Sequence, residues 1–387
     1  MIQVTDTSRC CGCTACKSIC PHAAITMVAD RLGFLYPQVD MEKCVECGAC
    51  EKVCAFVSDV DSRVVLPDDA QLEVNAVRHV DADVLEASQS GGAFTAISDM
   101  ILDLGGVVYG AAYTDRFSVA HIRTSTKKER DLLRGSKYVQ SELHETFRNV
   151  RNDLRNGIPV LFTGTPCQVS GLKEYIPDSL RNNLFLVDFI CHGVPSPAVW
   201  EDYLKYMGRH GKIINAKFRD KSVHGWKVHQ ETFTYQDGVQ RRPDTFRVLF
   251  YKNIMLRHSC AVCPYNASNH YSDITIADFW GVGELVPSMD GDSGTSMVFC
   301  NTEKGNQLFD KAKILLDVEK VTLNRDFMLR KNPNLVSSSK IYKDRLMFEE
   351  EYAEKGFLHV ARKWGDLGWR YRWWKLKVRI RKMIGIK

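Results

Sequence analysis

Eight of the fourteen cysteines fall into two runs that share one spacing. The runs are Cys10-x2-Cys13-x2-Cys16-x3-Cys20 and Cys44-x2-Cys47-x2-Cys50-x3-Cys54. A tight triplet can supply three thiolates to a cubane 4Fe-4S cluster, and in this pattern the fourth cysteine of each run belongs to the other cluster. The spacing therefore predicts two 4Fe-4S clusters with crossed ligand sets, which are Cys10, Cys13, Cys16 and Cys54 for one cluster and Cys44, Cys47, Cys50 and Cys20 for the other.

Other cysteine chemistries fit this spacing less well. Structural zinc uses paired C-x2-C knuckles that close one tetrahedron, and disulfides suit small secreted domains. The pattern is that of bacterial-type two-cluster ferredoxins, although the second run ends in Cys54-Ala55 where the usual motif has Cys-Pro. We predict a ferredoxin-type domain over residues 1–58 and a polar linker over residues 59–74.

The composition is that of an ordinary globular protein, with 44% hydrophobic and 26% charged residues in a chain of 387. No stretch reaches 18 consecutive apolar residues, and the first residues lack the basic and apolar segments of a secretory signal. We therefore expect a cytoplasmic protein. In that compartment the cysteines are expected to be ligands rather than disulfides.

The positive charge is concentrated near the end of the chain. Residues 356–387 carry +9, which leaves −4 on the remainder of a chain whose net charge is +5. The body therefore lacks the basic surplus that nucleic-acid binding requires, and we exclude that function.

The segment 341–387 is predicted to be a helical, basic tail. Trp369, Trp373, Leu376, Ile380 and Met383 recur at helical spacing, with lysines and arginines between them. Such a basic amphipathic helix can lie on an anionic membrane, which would place the protein at the inner face of the membrane. Docking on a protein surface is an equally good interpretation.

A second domain is predicted over residues 75–340. Near its start, Ser90-Gly91-Gly92 precedes a helical pattern of apolar residues that ends at Gly105-Gly106. Free backbone N–H groups at such a helix start can bind an anion. The simpler alternative is a serine N-cap followed by glycine in the turn.

Two further segments follow the strand-to-loop pattern of cofactor sites. A buried strand near 158–162 leads into Thr163-Gly164-Thr165-Pro166 and a helix, and a second strand over 184–190 leads into Cys191-His192. Ligand sites in open α/β sheets lie at the carboxyl ends of strands. The fold class predicted is thus α+β in the ferredoxin domain and mixed α/β in the second domain.

Four more cysteines suggest a third metal site. Cys260 and Cys263 form a C-x2-C pair, whereas Cys167 and Cys191 each follow a strand in a glycine-containing loop. Together they can hold a further 4Fe-4S cluster. Zinc is the alternative for this quartet.

Several of these segments occur together in a known family. They are Gly164-Thr165-Pro166-Cys167-Gln168, Cys191-His192-Gly193, Phe218-Arg219-Asp220-Lys221 with Gly225-Trp226, and residues 273–281 with Asp278-Phe279-Trp280-Gly281. Over residues 5–340 the chain resembles the beta-subunit family of coenzyme F420 hydrogenases and dehydrogenases with an N-terminal two-cluster ferredoxin domain. Coenzyme F420 is a deazaflavin.

The resemblance implies that the second domain binds FAD beside a third 4Fe-4S cluster. The cluster ligands would be Cys167, Cys191, Cys260 and Cys263. The Ser90-Gly91-Gly92 and Thr163-Gly164-Thr165-Pro166 loops would hold the FAD phosphates, and Lys137 would neutralise one of them. The family also includes ferredoxin-dependent reductases of chlorophyll-type pigments, so the resemblance does not fix coenzyme F420 as the substrate or partner.

The sequence predicts an iron-sulfur flavoprotein oxidoreductase that exchanges electrons with a ferredoxin or another low-potential carrier. FAD would exchange a hydride with coenzyme F420 or an organic substrate. His192, Asp188 and Asp278 are the candidates for proton transfer because each flanks a motif loop, although each also suits a structural role. The alternative function is a non-catalytic electron-transfer subunit that serves a separate enzyme.

Overall fold

The computed structural model describes residues 1–58, 67–265, 270–369, 371, 373 and 377. Within these residues a small N-terminal module packs on a larger unit built around an eight-stranded sheet. The fold is therefore mixed α/β with a ferredoxin-like domain at its N-terminus. The predicted basic helix over 369–383 lies largely outside the described residues.

The N-terminal module consists of one antiparallel strand pair and short helices that follow the cysteine triplets. Each triplet loop turns sharply at a left-handed residue, Thr14 in the first run and Gly48 in the second, before its helix begins. The elements are β1 (Ile25–Ala29), β2 (Leu35–Val39), α1 (Ala15–Ile19), α2 (Ala49–Lys52) and α3 (Ala55–Ser58).

The central sheet has a parallel core with antiparallel strands at both sides. From one edge to the other its strands are β13 (Leu316–Asn324), β3 (Gln71–His79), β12 (Ser296–Cys300), β11 (Ile274–Asp278), β7 (Leu184–Phe189), β6 (Val160–Thr163), β4 (Val107–Tyr113) and β5 (Val119–Thr124). The strands β4, β6, β7 and β11 are parallel, so their carboxyl ends meet at one edge. β3 already begins at Gln71, inside the predicted linker of 59–74.

Helices cover both faces of the central sheet. Along β4, Val108 and Ala112 face one layer, whereas Val107 and Tyr109 face the other. This alternation follows from the two-residue side-chain period of a strand. The first layer contains α5 (Ala93–Asp103) and α12 (Glu303–Ala312), and the second contains α7 (Thr146–Arg155) and α8 (Pro166–Tyr175).

A third layer packs beside the carboxyl edge of the parallel strands. Its small antiparallel sheet and three helices share one apolar core. These elements are β8 (Ile213–Lys217), β9 (Thr232–Tyr235), β10 (Gln240–Arg241), α9 (Pro197–Met207), α11 (Thr245–Tyr251) and α14 (Asp344–Lys363). The remaining α-helices of the described residues are α4 (Ala82–Ala87), α6 (Lys127–Arg130), α10 (Lys221–His224) and α13 (Arg325–Lys331).

The start of the predicted tail belongs to this core. Phe348 and Val360 of α14 are fully buried, and Gly356 interrupts the helix with a left-handed backbone, φ 73°. Residues 344–363 therefore form part of the folded body rather than a free amphipathic tail. None of the helices that the structure describes has the length and apolar character needed to cross a membrane.

The module is held to the larger unit by hydrogen bonds to its backbone carbonyls, one of them fully buried. The Ser196 hydroxyl donates to the carbonyl of Leu32 at 2.6 Å. On the opposite side, the Arg148 guanidinium donates to the carbonyls of Lys17 at 3.2 Å and Ser18 at 3.1 Å. Leu32 itself is fully buried in the core of the third layer, so module and body share apolar packing as well.

Candidate functional site

One crossed cysteine set lies where the module meets the larger unit. We call it the inner set, and it contains Cys10, Cys13, Cys16 and Cys54. Burial raises the pKa of the Cys16 thiol, and the charges of the other three members raise it further. Such effects require neighbouring sulfur atoms, so the structure brings the fourth cysteine of the second run to the first triplet.

The other crossed set lies at the surface of the module. We call it the outer set, and it lines one small cavity with Cys20, Cys44, Cys47 and Cys50. The Ile2 N–H donates to Cys50 Sγ at 3.2 Å, and the Ala24 N–H donates to Cys20 Sγ at 3.4 Å. Backbone donors of this kind stabilise thiolates that bind iron.

The third quartet is also brought together, and we call it the third set. Cys167 is the second residue of α8, Cys191 follows β7, and the remaining pair lies in or beside the 3-10 turn His258–Val262. Burial raises the pKa of Cys263 well above its usual range, and the other three cysteines add to the effect. The full membership is Cys167, Cys191, Cys260 and Cys263.

The donor chemistry of all three sets fits iron-sulfur clusters. Four thiolates buried together repel one another unless a cationic iron core compensates their charge. In the described parts of the chain, no three His, Cys, Asp or Glu side chains are arranged around a point where they could hold one metal ion. A cubane differs from such a site because each of its thiolates binds a different iron atom.

Helix α8 connects the inner and third sets. A Cβ atom on Gly171 would lie 2.6 Å from Cys13 Sγ, so only glycine allows this close approach. Gly171 lies one helical turn after Cys167 of the third set. The buried Cys11 thiol fills the space between the sets, and its pKa is raised well above the usual range by hydrogen bonds with Cys13 and Cys167.

A large cavity lies at the carboxyl edge of the parallel strands. Its volume is about 880 Å³, within the range of cofactor and ligand sites. Three loops line it, over residues 88–95, 133–141 and 163–168, and the cavity also reaches Cys191 of the third set. The loops belong to different layers, so the fold rather than any one motif creates the cavity.

Most of the predicted cofactor-binding residues line this cavity. They are Ser90, Gly92, Lys137, Thr163, Gly164 and Thr165. Gly91 and Pro166 are not among the lining residues. Gly91 is needed for backbone packing, because a Cβ there would lie 2.1 Å from the carbonyl oxygen of Val77.

The start of α5, in the first of these loops, is not capped by the serine that the sequence offered as N-cap. Ser90 does not cap the helix, because its hydroxyl donates to the carbonyl of Thr295 at 2.8 Å. The N-cap is Gly92, with φ 83° and no side-chain capping bond from the described residues. The N-terminus of α5 therefore lacks a side-chain cap there, and the cavity extends along it to Thr95.

The cavity wall is rich in cations. Among the described residues that line it, Asp278 is the one carboxylate, whereas six are lysines or arginines. These cations are Arg134, Lys137, Arg219, Lys227, Arg247 and Lys331. Burial lowers the pKa of Lys137 to about 7, and its ammonium group donates to the carbonyls of Leu132 at 3.1 Å and Arg134 at 2.9 Å. The donor set fits a dinucleotide with a pyrophosphate such as FAD.

The three candidates for proton transfer have different surroundings. His192 lines the cavity, and its ring nitrogens contact Asn253 Oδ1 at 2.7 Å and Asn334 Oδ1 at 3.3 Å, which fixes the ring. Asp278 also lines the cavity but forms an ion pair with the buried Arg219. His192 and Asp278 therefore both line the cavity, and each already has a protein partner.

Asp188 lies away from the cavity that the other two candidates line. Its carboxylate is fully buried and is not part of the cavity lining. It accepts a hydrogen bond from Thr275 Oγ1 at 2.6 Å and pairs with His270 Nδ1 at 2.8 Å. These contacts tie Asp188 of β7 to β11 and to the segment that precedes it, and its role in proton transfer stays a prediction.

Sequence reasoning missed two residues of the cavity. His121 lies on β5, stacks on Phe162 with ring centroids 5.2 Å apart, and contacts the Thr163 carbonyl at 2.9 Å. Burial lowers its pKa to about 4, so the ring is neutral at pH 7. Arg219 belongs to one of the motifs shared with the beta-subunit family. No sequence pattern near it predicts its ion pair with Asp278, which lies 59 residues further along the chain.

The fold and these sites define an iron-sulfur protein of the oxidoreductase type, with a ferredoxin-like module joined to a mixed α/β domain. Two family models match the chain. Residues 9–57 match the 4Fe-4S dicluster domain, and residues 159–324 match the C terminus of the coenzyme F420 hydrogenase/dehydrogenase beta subunit. The resemblance found in the sequence is thereby confirmed.

One solved structure matches much of the chain. It is a xenon-derivatised F420-reducing NiFe hydrogenase complex from Methanosarcina barkeri, with 19% identity and a TM-score of 0.47. The match covers 78% of this chain and 96% of that chain. No curated protein sequence matches the chain.

Proposed function

We propose that this protein is an iron-sulfur flavoprotein oxidoreductase that binds FAD in the cationic cavity and exchanges a hydride there with an organic substrate. Coenzyme F420 is one candidate substrate. The observation that carries the proposal is the cavity itself, because it joins the two predicted phosphate-binding loops and Lys137 and extends to Cys191 of the third set. A flavin bound there would lie beside the last cysteine set of the chain.

When bound, the three clusters would carry single electrons and FAD would convert them into hydride chemistry. The residues of this chain have three tasks in that scheme. The N-terminus of α5 and the loop after β6 bind the phosphates, Lys137 balances their charge, and His192 holds a proton at one of its ring nitrogens. The parallel strands β6, β7 and β11 position these groups at one edge.

We further propose that a low-potential protein carrier, such as a ferredoxin, supplies or receives electrons at the outer set. Cys47 of that set is exposed, whereas the inner set lies against α8 of the larger unit. The name of the matching family, a beta subunit, suggests additional protein partners.

The first test measures cofactors after purification without oxygen. We expect about twelve iron atoms, equal sulfide and about one FAD per chain, with little zinc. Lys137→Met is expected to weaken FAD binding roughly 10-fold, because it removes a cation from the site. The matched control is Lys128→Met, which changes an exposed lysine outside the cavity and should leave FAD binding unchanged.

The alternative is a non-catalytic electron-transfer subunit, which the beta-subunit description of the family also allows. About eight iron atoms per chain and no flavin would support that alternative and refute the flavoenzyme. A protein containing zinc and no iron would refute both functions.

For the C-terminal tail, membrane binding and docking on a protein surface both remain predictions. Of the two, we propose that the tail binds an anionic membrane surface. Trp369 and Trp373 support this proposal because they are 68% and 57% exposed. Flotation with anionic vesicles should require residues 364–387. Equal flotation of the truncated and full-length chains would exclude the membrane role.

A further inference from the structure

Arg257 is a fully buried arginine between two of the cysteine sets, with 0% of its surface exposed. It precedes Cys260 of the third set by three residues and belongs to the same turn, because the Cys260 N–H donates to its carbonyl at 3.0 Å. Its side chain extends in the other direction, into the N-terminal module. The residue therefore contacts both redox regions.

The guanidinium is fixed by several contacts. Its Nε donates to the carbonyl of Cys10 at 2.8 Å, and its Nη2 donates to the carbonyl of Leu35 at 2.9 Å. Nη1 donates to Gln140 Oε1 at 2.9 Å, and the group lies over the Tyr36 ring at 4.3 Å. Nη2 is also 3.7 Å from Cys10 Sγ, so the positive charge lies directly beside a ligand of the inner set.

No carboxylate forms an ion pair with Arg257 in the part of the chain that the structure describes. Two other arginines that are almost fully buried are paired, Arg130 with Asp99 at 2.6 Å and Arg345 with Glu349 at 2.5 Å. A buried charge without a counter-charge is strongly unfavourable. The protein therefore needs another negative group beside this guanidinium.

The surrounding thiols are the candidates for that group. Cys10 Sγ of the inner set lies 3.7 Å from Nη2, and Cys260 of the third set follows Arg257 by three residues in the same turn. A cubane with four thiolates carries net negative charge, so loaded inner and third sets would provide the missing counter-charge.

We propose that Arg257 is an electrostatic positioning residue that favours the reduced form of the inner 4Fe-4S cluster. Reduction adds one electron from a low-potential one-electron carrier and no proton, so the cluster gains one negative charge beside the guanidinium. That charge is stabilised more strongly than it would be in the outer set, whose described surroundings contain no such buried cation. The proposal rests on the iron-sulfur part of the proposed function and does not require FAD.

The consequence is a direction for electron flow within the module. An electron that enters at the outer set is more stable on the inner set, which lies next to α8 and the third set. Arg257 thus sets the relative reduction potentials of two clusters whose ligand spacing is the same.

The test uses four variants and potentiometry monitored by EPR on the anaerobic full-length protein. Arg257→Met removes the charge, and Gln140→Glu places a carboxylate against Nη1 that neutralises it. Both should shift one cluster to a lower reduction potential and leave another unchanged. Arg257→Lys keeps the charge, and Gln140→Leu removes the hydrogen bonds of Gln140 without adding charge, so both should stay near the wild-type potential.

The paired substitutions at residue 140 decide the outcome even if Arg257→Met does not fold. Equal shifts in Gln140→Glu and Gln140→Leu, or no shift in Gln140→Glu with iron retained, would overturn the proposal. A wild-type protein without iron-sulfur EPR signals would refute the clusters themselves. A wild-type protein with clusters but without flavin would refute the flavoenzyme and leave this test intact.

Discussion

The inner and outer cysteine sets share one spacing but have different surroundings. The outer set lies at the module surface, with exposed Cys47 and backbone N–H donors to its sulfur atoms. The inner set lies against α8 and the buried Arg257. The cysteine spacing therefore determines which type of cluster can form. The neighbouring residues determine how exposed that cluster is and how easily it is reduced.

The largest expected effect is on the contact between Cys13 and α8. Gly171→Ala places a Cβ 2.6 Å from Cys13 Sγ, and we expect a loss of about 1–3 kcal/mol of stability together with loss of inner-set iron. This cost exceeds the gain of about 1 kcal/mol in helix propensity. Iron content and the thermal unfolding midpoint, both measured without oxygen, test it.

Gly208→Ala is the matched control for that substitution. No described atom lies within 4 Å of a Cβ at Gly208, and its φ of −61° suits alanine. The variant should keep its iron and its midpoint. If Gly171→Ala behaves in the same way, the close packing of the inner set on α8 is not important.

A smaller effect is expected in the rate at which chelators remove iron. The outer set is accessible through Cys47, whereas the inner and third sets lie against or within the larger unit, so about four of the twelve iron atoms should leave in a first phase, before the remaining eight. We expect the first phase to be roughly 10-fold faster, because local opening exposes surface sites first. Iron release followed by absorbance and EPR would show this, and a single phase for all iron would contradict the distinction between the sets.

The smallest effect is expected at the exposed ion pair of the outer set. The N-terminal ammonium of Met1 contacts Glu51 at 3.1 Å, and this contact raises the pKa of the ammonium group. Exposed pairs contribute little, so Glu51→Gln should leave the iron content and cluster potentials unchanged. A change as large as that of Arg257→Met would show that surface charge tunes the outer set as strongly as buried charge tunes the inner set.

Short-range patterns predicted much of this molecule. The cysteine runs indicated the crossed sets, and apolar strands followed by glycine-containing loops indicated the parallel core near β6 and β7. Both patterns are local, since a triplet or a strand is defined by neighbouring residues. The beta-subunit motifs added the expectation of a flavin site.

Long-range contacts explain what the sequence did not show. Asp188 resembled a catalytic residue because it lies near a strand end, but its partners Thr275 and His270 are more than 80 residues away. Arg257 gave no signal because its contacts with Cys10 and Leu35 depend on how the module packs. The buried part of α14 was likewise hidden by the basic residues that follow it.

The docking of the module has a consequence for how electrons move. Arg148 binds the carbonyls of Lys17 and Ser18 on one side, and Ser196 binds Leu32 on the other. A carrier domain on a flexible tether would swing between donor and acceptor. This module is instead packed against the body, so an electron that passes between the inner and third sets would cross a gap set by the packing of Cys13 on α8.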